Sequence, residues 1–145
     1  MIFHRENALE EYNRIYREID KLYHDIALKV GLSDSAFLIF YSIFELGEGC
    51  LQKDICEAHF ISKQTIHSSI KKIEKDGYIQ IKQGMDKEKR IYLTPQGKIF
   101  FDDKIIPVVK MEKEIFEEMT QEESQELIRL TQEYMVRLRD KTNQL

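Results

Sequence analysis

The sequence predicts a mainly α-helical chain with one small β-hairpin: a winged helix-turn-helix at about residues 33–97, with N- and C-terminal dimerisation helices at about 1–30 and 98–145. Three observations predict it. Between Leu51 and Gly97, two short helices of apolar periodicity flank a tight turn, and two strands of period two follow. The loop joining the strands, Met85-Asp86-Lys87-Glu88-Lys89-Arg90, is crowded with charge. In that order, one helix is able to fill a DNA groove while the loop straddles the backbone beside it.

Each element has its own signal. Tyr12, Tyr16, Ile19, Tyr23, Ile26 and Val30 form one stripe of a long helix from about Asn7, widened by Leu9, Ile15 and Leu22 and stopped by Gly31. Ser33 caps the next helix, Asp34 to Leu46, whose Phe37, Leu38, Phe40, Tyr41 and Phe44 make it the expected buried centre; Gly47 and Gly49 end it. The second helix of the helix-turn-helix runs about Lys63 to Asp76. Ser62 is its cap, able to accept an amide hydrogen bond from Gln64 or Thr65, and Asp76-Gly77 is its stop. Ile66, Ile70 and Ile73 recur at i, i+4 and i+7 and turn to the core, which leaves Gln64, His67, Ser68, Lys71 and Lys75 facing outward.

Tyr78 to Lys82 and Arg90 to Leu93 alternate, setting Ile79, Ile81, Ile91 and Leu93 on one inward face. Thr94 caps a further helix with Pro95 at its first position, where the missing N–H is harmless. Pro107 is expected to kink or break it. Thr120-Gln121-Glu122-Glu123 is a capping box, after which Leu127, Leu130, Thr131, Tyr134 and Leu138 give a stripe to the end. The terminal stripes exceed what one small winged domain covers, and packing on the same helices of a second subunit follows.

Charge is distributed to match. The 145-residue chain, expected to form one domain, carries a formal net charge of −4, which by itself argues against nucleic acid. From Lys63 to Arg90, however, eight bases (Lys63, Lys71, Lys72, Lys75, Lys82, Lys87, Lys89, Arg90) face four acids, a local +4. From Met111 to Leu145 nine acids oppose five bases, a charge that points away from phosphate. Lysines on a lone helix are commonly a solvated face, and it is the attached charged hairpin that favours contact with DNA.

Other chemistries find little support. No stretch is long and apolar enough to span a bilayer, and Met1-Ile2-Phe3-His4-Arg5-Glu6 lacks a signal peptide's apolar run, so no membrane partner and a cytoplasmic location are expected. Cys50 and Cys56 fit a reducing compartment. With His59 they sit at i, i+6 and i+9, which is no zinc spacing, and Cys56 reads as core; no metal or cofactor is expected. Nothing near Cys50, placed in a loop beside the helix-turn-helix, marks it as a reactive thiol. Without a nucleophile elbow, a phosphate-binding glycine loop or an HExxH motif, catalysis is not expected.

The stretch LQKDICEAHFISKQTIHSSIKKIEKDGYI, followed by IYLTPQGK, closely resembles the MarR family of winged-helix transcription regulators over essentially the full chain. EKDGYI, at the exit from the recognition helix, and LTPQGK, at the exit from the wing, are its most specific parts. The resemblance implies a homodimer on double-stranded DNA. It places Lys63, Gln64, Thr65, His67 and Ser68 at or near the major groove and the wing at the minor groove. The expected DNA-binding set is Ser62, Lys63, Gln64, Thr65, His67, Ser68, Lys71, Lys72, Lys75, Lys87, Lys89 and Arg90. Two departures stand out. The family wing carries an Asp-x-Arg whose arginine enters the minor groove, whereas Asp86-Lys87-Glu88 puts glutamate there, leaving Arg90 or Lys87 to substitute. The helix before the turn has Leu51 where the family has a serine or threonine cap, so Gly49 or Cys50 is its alternative start.

The resemblance also implies a small aromatic or anionic effector. Tyr12, Tyr16, Tyr23, His24, Phe37 and Tyr41 are suited to line its cleft, yet aromatics at helical spacing more often form core, and no ligand residue is assigned. Two functions from different classes follow: a sequence-specific dimeric regulator acting on an inverted-repeat operator, or a winged-helix protein interaction module that never touches DNA. The outward basic face from Lys63 to Lys75 favours the first, because protein interface cores are depleted in lysine.

Overall fold

A computed structural model describes residues 5–145; residues 1–4 of the expected N-terminal dimerisation segment, about 1–30, lie outside it. Helix α1 (Arg5–Lys29) ends at Gly31, whose φ of 80° a side chain would resist. Helix α2 (Asp34–Leu46) opens on the Ser33 hydroxyl, which accepts from the Ala36 amide at 3.2 Å, and closes on Gly47 at φ 86°. Phe37, Ile39, Phe40 and Ile43 of α2 are buried, as expected of the central helix; Phe44 lies at its exposed margin.

The helix-turn-helix is α3 (Gln52–His59) and α4 (Lys63–Lys75). Phe60, left-handed at φ 54°, turns the chain between them. Leu51 holds the cap position of α3 and makes no side-chain bond, so the helix starts without the help a serine gives. Neither Gly49 nor Cys50 takes that position. Instead Cys50–Leu51 form a short strand, β1, and Cys50 is a buried strand residue in place of the loop residue the sequence led one to expect. A strand of two residues has no periodicity for a sequence to display.

The hairpin is β2 (Ile79–Gln83) and β3 (Lys89–Leu93), and with β1 it forms a three-stranded antiparallel sheet in the order β1-β3-β2. Cys50 lies opposite Ile91, Ile79 opposite Leu93, and Ile81 opposite Ile91. The four apolar residues therefore share one face, as alternation predicted. Ile79 and Ile91 are fully buried beneath it, Ile81 and Leu93 half-buried.

The EKDGYI and LTPQGK segments close one junction. The Thr94 hydroxyl donates to the Gly77 carbonyl at 2.5 Å and accepts from the Gly97 amide at 2.9 Å, while the Thr94 amide donates to the Tyr78 carbonyl at 3.1 Å. Gly97 is buried so tightly that a Cβ on it would overlap that carbonyl. Phe40, Tyr78 and Phe100 cluster beside the junction, with ring centroids 4.7 to 6.1 Å apart. The exit of α4 and the exit of the wing are thereby locked to the core.

Helix α5 (Pro95–Phe100) has its threonine cap and first-turn proline as expected. Ahead of Pro107 the winding widens to a π-helical turn, Phe101–Ile105, before α6 (Ile106–Glu118). The disruption expected at proline is thus taken up as π winding, which relieves the crowding a proline ring imposes on the carbonyl four residues before it. Helix α7 (Gln121–Thr142) opens on the capping box: the Thr120 hydroxyl accepts from the Glu123 amide at 3.0 Å and the Glu123 carboxylate from the Thr120 amide at 2.9 Å. No residue of α7 is buried. The described chain divides into two units, one ending at Ile106 and the other Pro107–Leu145. Among the described residues no single helix is long and apolar enough to cross a membrane.

Candidate nucleic-acid interface

The orientation of α4 follows from three buried isoleucines. Ile66, Ile70 and Ile73 seat α4 on the core, and Ser69 hydrogen-bonds Ser35 of α2 across the contact at 2.5 Å. Lys63, Gln64, Thr65, Ser68, Lys71, Lys72 and Lys75 are consequently exposed, and His67 half-exposed. The Ser62 hydroxyl accepts from the Thr65 amide at 3.2 Å and donates to the Thr65 hydroxyl at 2.8 Å, so both side chains serve the helix start. Thirteen residues make α4 about 20 Å long, and a helix of this width fits a major groove about 12 Å across.

An open cleft of about 870 Å³ runs between α3, the first half of α4 and the wing loop. Of the expected DNA-binding residues, Lys63, Gln64, His67, Lys87 and Lys89 line it. Lys71, Lys72 and Lys75 continue the basic exposed surface of α4 beyond it, with Ser68 beside them. Composition alone did not point to the α3 side of the cleft: Gln52, Lys53, Cys56 and Glu57. The signal was available in the helix-turn-helix itself, since its first helix crosses the DNA backbone and Lys53 stands in the first turn of α3. Glu57 and Glu88 are the cleft's acids, and the Glu88 carboxylate lies 3.6 Å from the Lys53 ammonium. Lysine outnumbers glutamate there, which leaves a field attractive to phosphate.

The remaining wing cation is engaged within the chain. Arg90 donates from Nη1 to the Gly49 carbonyl at 3.2 Å and from Nη2 to the Asp86 carboxylate at 3.0 Å. The Glu88 amide and then Arg90 hold the Asp86 carboxyl below the usual carboxylate range. Lys82 lies over the Tyr92 ring, 5.0 Å from its centroid. Burial pushes the Cys50 thiol up, away from the thiolate form that reacts. Cys56 is half-buried in place of the expected core position. Among the described residues no group of three or more histidine, cysteine or acidic side chains is arranged to hold a metal.

The aromatic residues considered for an effector divide by burial. Tyr12, Tyr16, Tyr23 and His24 are exposed on α1, where Tyr12 and Tyr16 stack at 6.3 Å, and His24 hydrogen-bonds Asp34 at 2.8 Å. Phe37 is buried in α2 with its ring 5.9 Å from that of the half-buried Tyr41.

Comparison with known proteins agrees with this architecture. Residues 30–87 match the MarR family model. Over 126 residues the chain is 25% identical to YwoH of Bacillus subtilis (strain 168), described as an uncharacterised HTH-type transcriptional regulator, covering 86% of this chain and 91% of that protein. The fold is shared with Staphylococcus aureus MepR in a complex with DNA, at a TM-score of 0.72 and 16% identity over 94% of this chain and 97% of that one. It is also shared with Staphylococcus aureus MarR in complex with salicylate and kanamycin, at a TM-score of 0.69 and 20% identity over 93% and 92%.

Proposed function

With residues 30–87 matching the MarR family model, we propose that the chain is a MarR-type winged-helix transcription regulator, that it binds double-stranded DNA sequence-specifically as a homodimer on an inverted-repeat operator, and that a small aromatic or anionic effector releases it. One observation carries the reading: the outward face of α4 and the lysines of the wing border the same cleft, so a single duplex is able to engage both. Lys63 and Gln64 then meet the major groove near the start of α4, Lys53 and Lys89 meet phosphate on either side, and Lys71, Lys72 and Lys75 follow the backbone. The complex of MepR with DNA supports the partner, and that of Staphylococcus aureus MarR with salicylate supports an aromatic anion as effector class.

The second copy is supported by exposed apolar stripes. Leu9, Tyr12, Ile15, Ile19 and Leu22 on α1, and Leu127, Leu130, Tyr134 and Leu138 on α7, are each more than two-fifths exposed in the single chain. No catalytic role is proposed, and the cytoplasm is the proposed location.

Anisotropy titration of duplex DNA from low to high salt tests the DNA reading. Affinity is expected to fall steeply, with a log–log slope approaching about −0.9 for each phosphate neutralised. A flat series would replace it with the protein interaction module.

A further inference from the structure

We propose that Lys87 is the wing residue that enters the minor groove, and that Arg90 is a positioning residue that braces the wing; the inference rests on the DNA-binding reading above. Arg90 is tied at both ends of its guanidinium, to the Gly49 carbonyl beside β1 and to Asp86 in the loop. It also stands inside the sheet, opposite Leu51 of β1 and Lys82 of β2. Reaching a groove would require giving up both bonds. Asp86 in turn accepts from the Glu88 amide at 3.1 Å, and Glu88 pairs with Lys53 of α3. The loop is thus held from the sheet on one side and from α3 on the other.

Between these anchors the backbone closes a tight turn. The Lys87 amide donates to the Gly84 carbonyl at 3.0 Å, the Gly84 amide to the Glu88 carbonyl at 3.2 Å, and the Gln83 side-chain amide to the Lys87 carbonyl at 3.0 Å. Lys87 sits in this turn at φ 62°, the left-handed conformation that such hairpin loops usually give to glycine. A lysine there is strained by its own Cβ, and strain of this kind persists where a side chain has work to do. Among the described residues its ammonium makes no ion pair, and it lies on the cleft across from Lys63, Gln64 and His67. The charge, the exposed position and the strained backbone converge on Lys87; the bonds within the wing converge on Arg90.

Glycine at 87 separates the roles, because it relieves the strain while removing the cation. The probe is the duplex recovered by selection from random DNA with the wild-type protein, prepared with A·T-rich and with G·C-rich flanks. A narrow A·T minor groove has the stronger negative potential. Lys87→Gly is expected to melt no lower than wild type, to bind the A·T-flanked duplex about tenfold more weakly, to lose the flank preference and to flatten the salt slope by about one phosphate. Arg90→Ala is expected to melt lower and bind both duplexes more weakly, while keeping the salt slope and part of the flank preference. In the Lys87→Gly background it should add less loss than it causes alone. If Arg90→Ala fails to fold, Arg90→Gln gives the same comparison. The proposal is overturned if Lys87→Gly keeps wild-type affinity and flank preference, or if the arginine variant alone flattens the salt slope and erases the preference. Failure of the wild-type protein to bind any duplex would instead overturn the DNA reading, and the proposal with it.

Discussion

Gln64 and Lys75 lie on the same helix but offer different chemistry. Gln64 stands near the start of α4 at the cleft and has an amide able to pair with a base edge, whereas Lys75 is a point charge at the last turn. Gln64→Ala should therefore relax base preference, costing about 1 to 3 kcal/mol on the cognate duplex and little on a scrambled one, while Lys75→Ala should weaken both alike. Titrating each variant on the two duplexes decides it; equal losses for Gln64→Ala would mean that another face of α4 reads the bases. A residue of the opposite kind is Gly97, which touches no ligand. Adding a methyl group forces the start of α5 off the Tyr78 carbonyl, so Gly97→Ala should destabilise by about 1 to 3 kcal/mol or more in chemical denaturation. An unchanged midpoint would show that the junction yields easily.

At the scale of elements, caps settle where helices begin. Helix α3 lacks a side-chain cap, whereas α2, α4, α5 and α7 have theirs from Ser33, Ser62, Thr94 and Thr120. Removing the last with Thr120→Ala should cost about 1 kcal/mol of stability. Its partner adds a pH dependence. Donation from the Thr120 amide holds the Glu123 carboxyl below its ordinary value, so its contribution is complete above about pH 4.3 and is lost as pH falls through the lowered folded value. Acid titration of stability should be shallower in Glu123→Gln than in wild type over that window. Parallel curves would show that the carboxylate is unbound in solution.

For the whole molecule, the question is what the exposed stripes of α1 and α7 do. A recognition helix alone reads only a few base pairs, and a two-fold dimer doubles the site into half-sites about 10 to 10.5 base pairs apart. Deleting Thr120 to Leu145 removes the α7 stripe and leaves α3, α4 and the wing intact. The truncated chain is expected to sediment as a monomer and to lose specific binding far more than nonspecific binding. A truncated monomer that holds the inverted repeat as tightly as the intact chain would refute the dimer's role in recognition.

Sequence by itself determined most of the helices with their caps and glycine stops, and the outward face of α4, because these depend on interactions within a few residues. Isoleucine at 66, 70 and 73 can share only one side of a helix, Ser62 and Gly77 bound it, and alternation from Ile79 to Leu93 sets the sheet's inward face. The lysines of α4 and the wing were legible for the same reason. Tertiary structure alone decided what depends on residues far apart in the chain. Cys50 and Leu51 become a strand only because β3 offers them an edge, and Gly97 must be glycine only because Tyr78 lies against it. Arg90, a free cation in the sequence, is tied to the Gly49 carbonyl, 41 positions away, and to a loop carboxylate, so its guanidinium is held within the wing. Lys53 joins the cleft because the wing folds back beside α3. Local periodicity records which way a side chain points; only the folded chain brings up the partner that meets it.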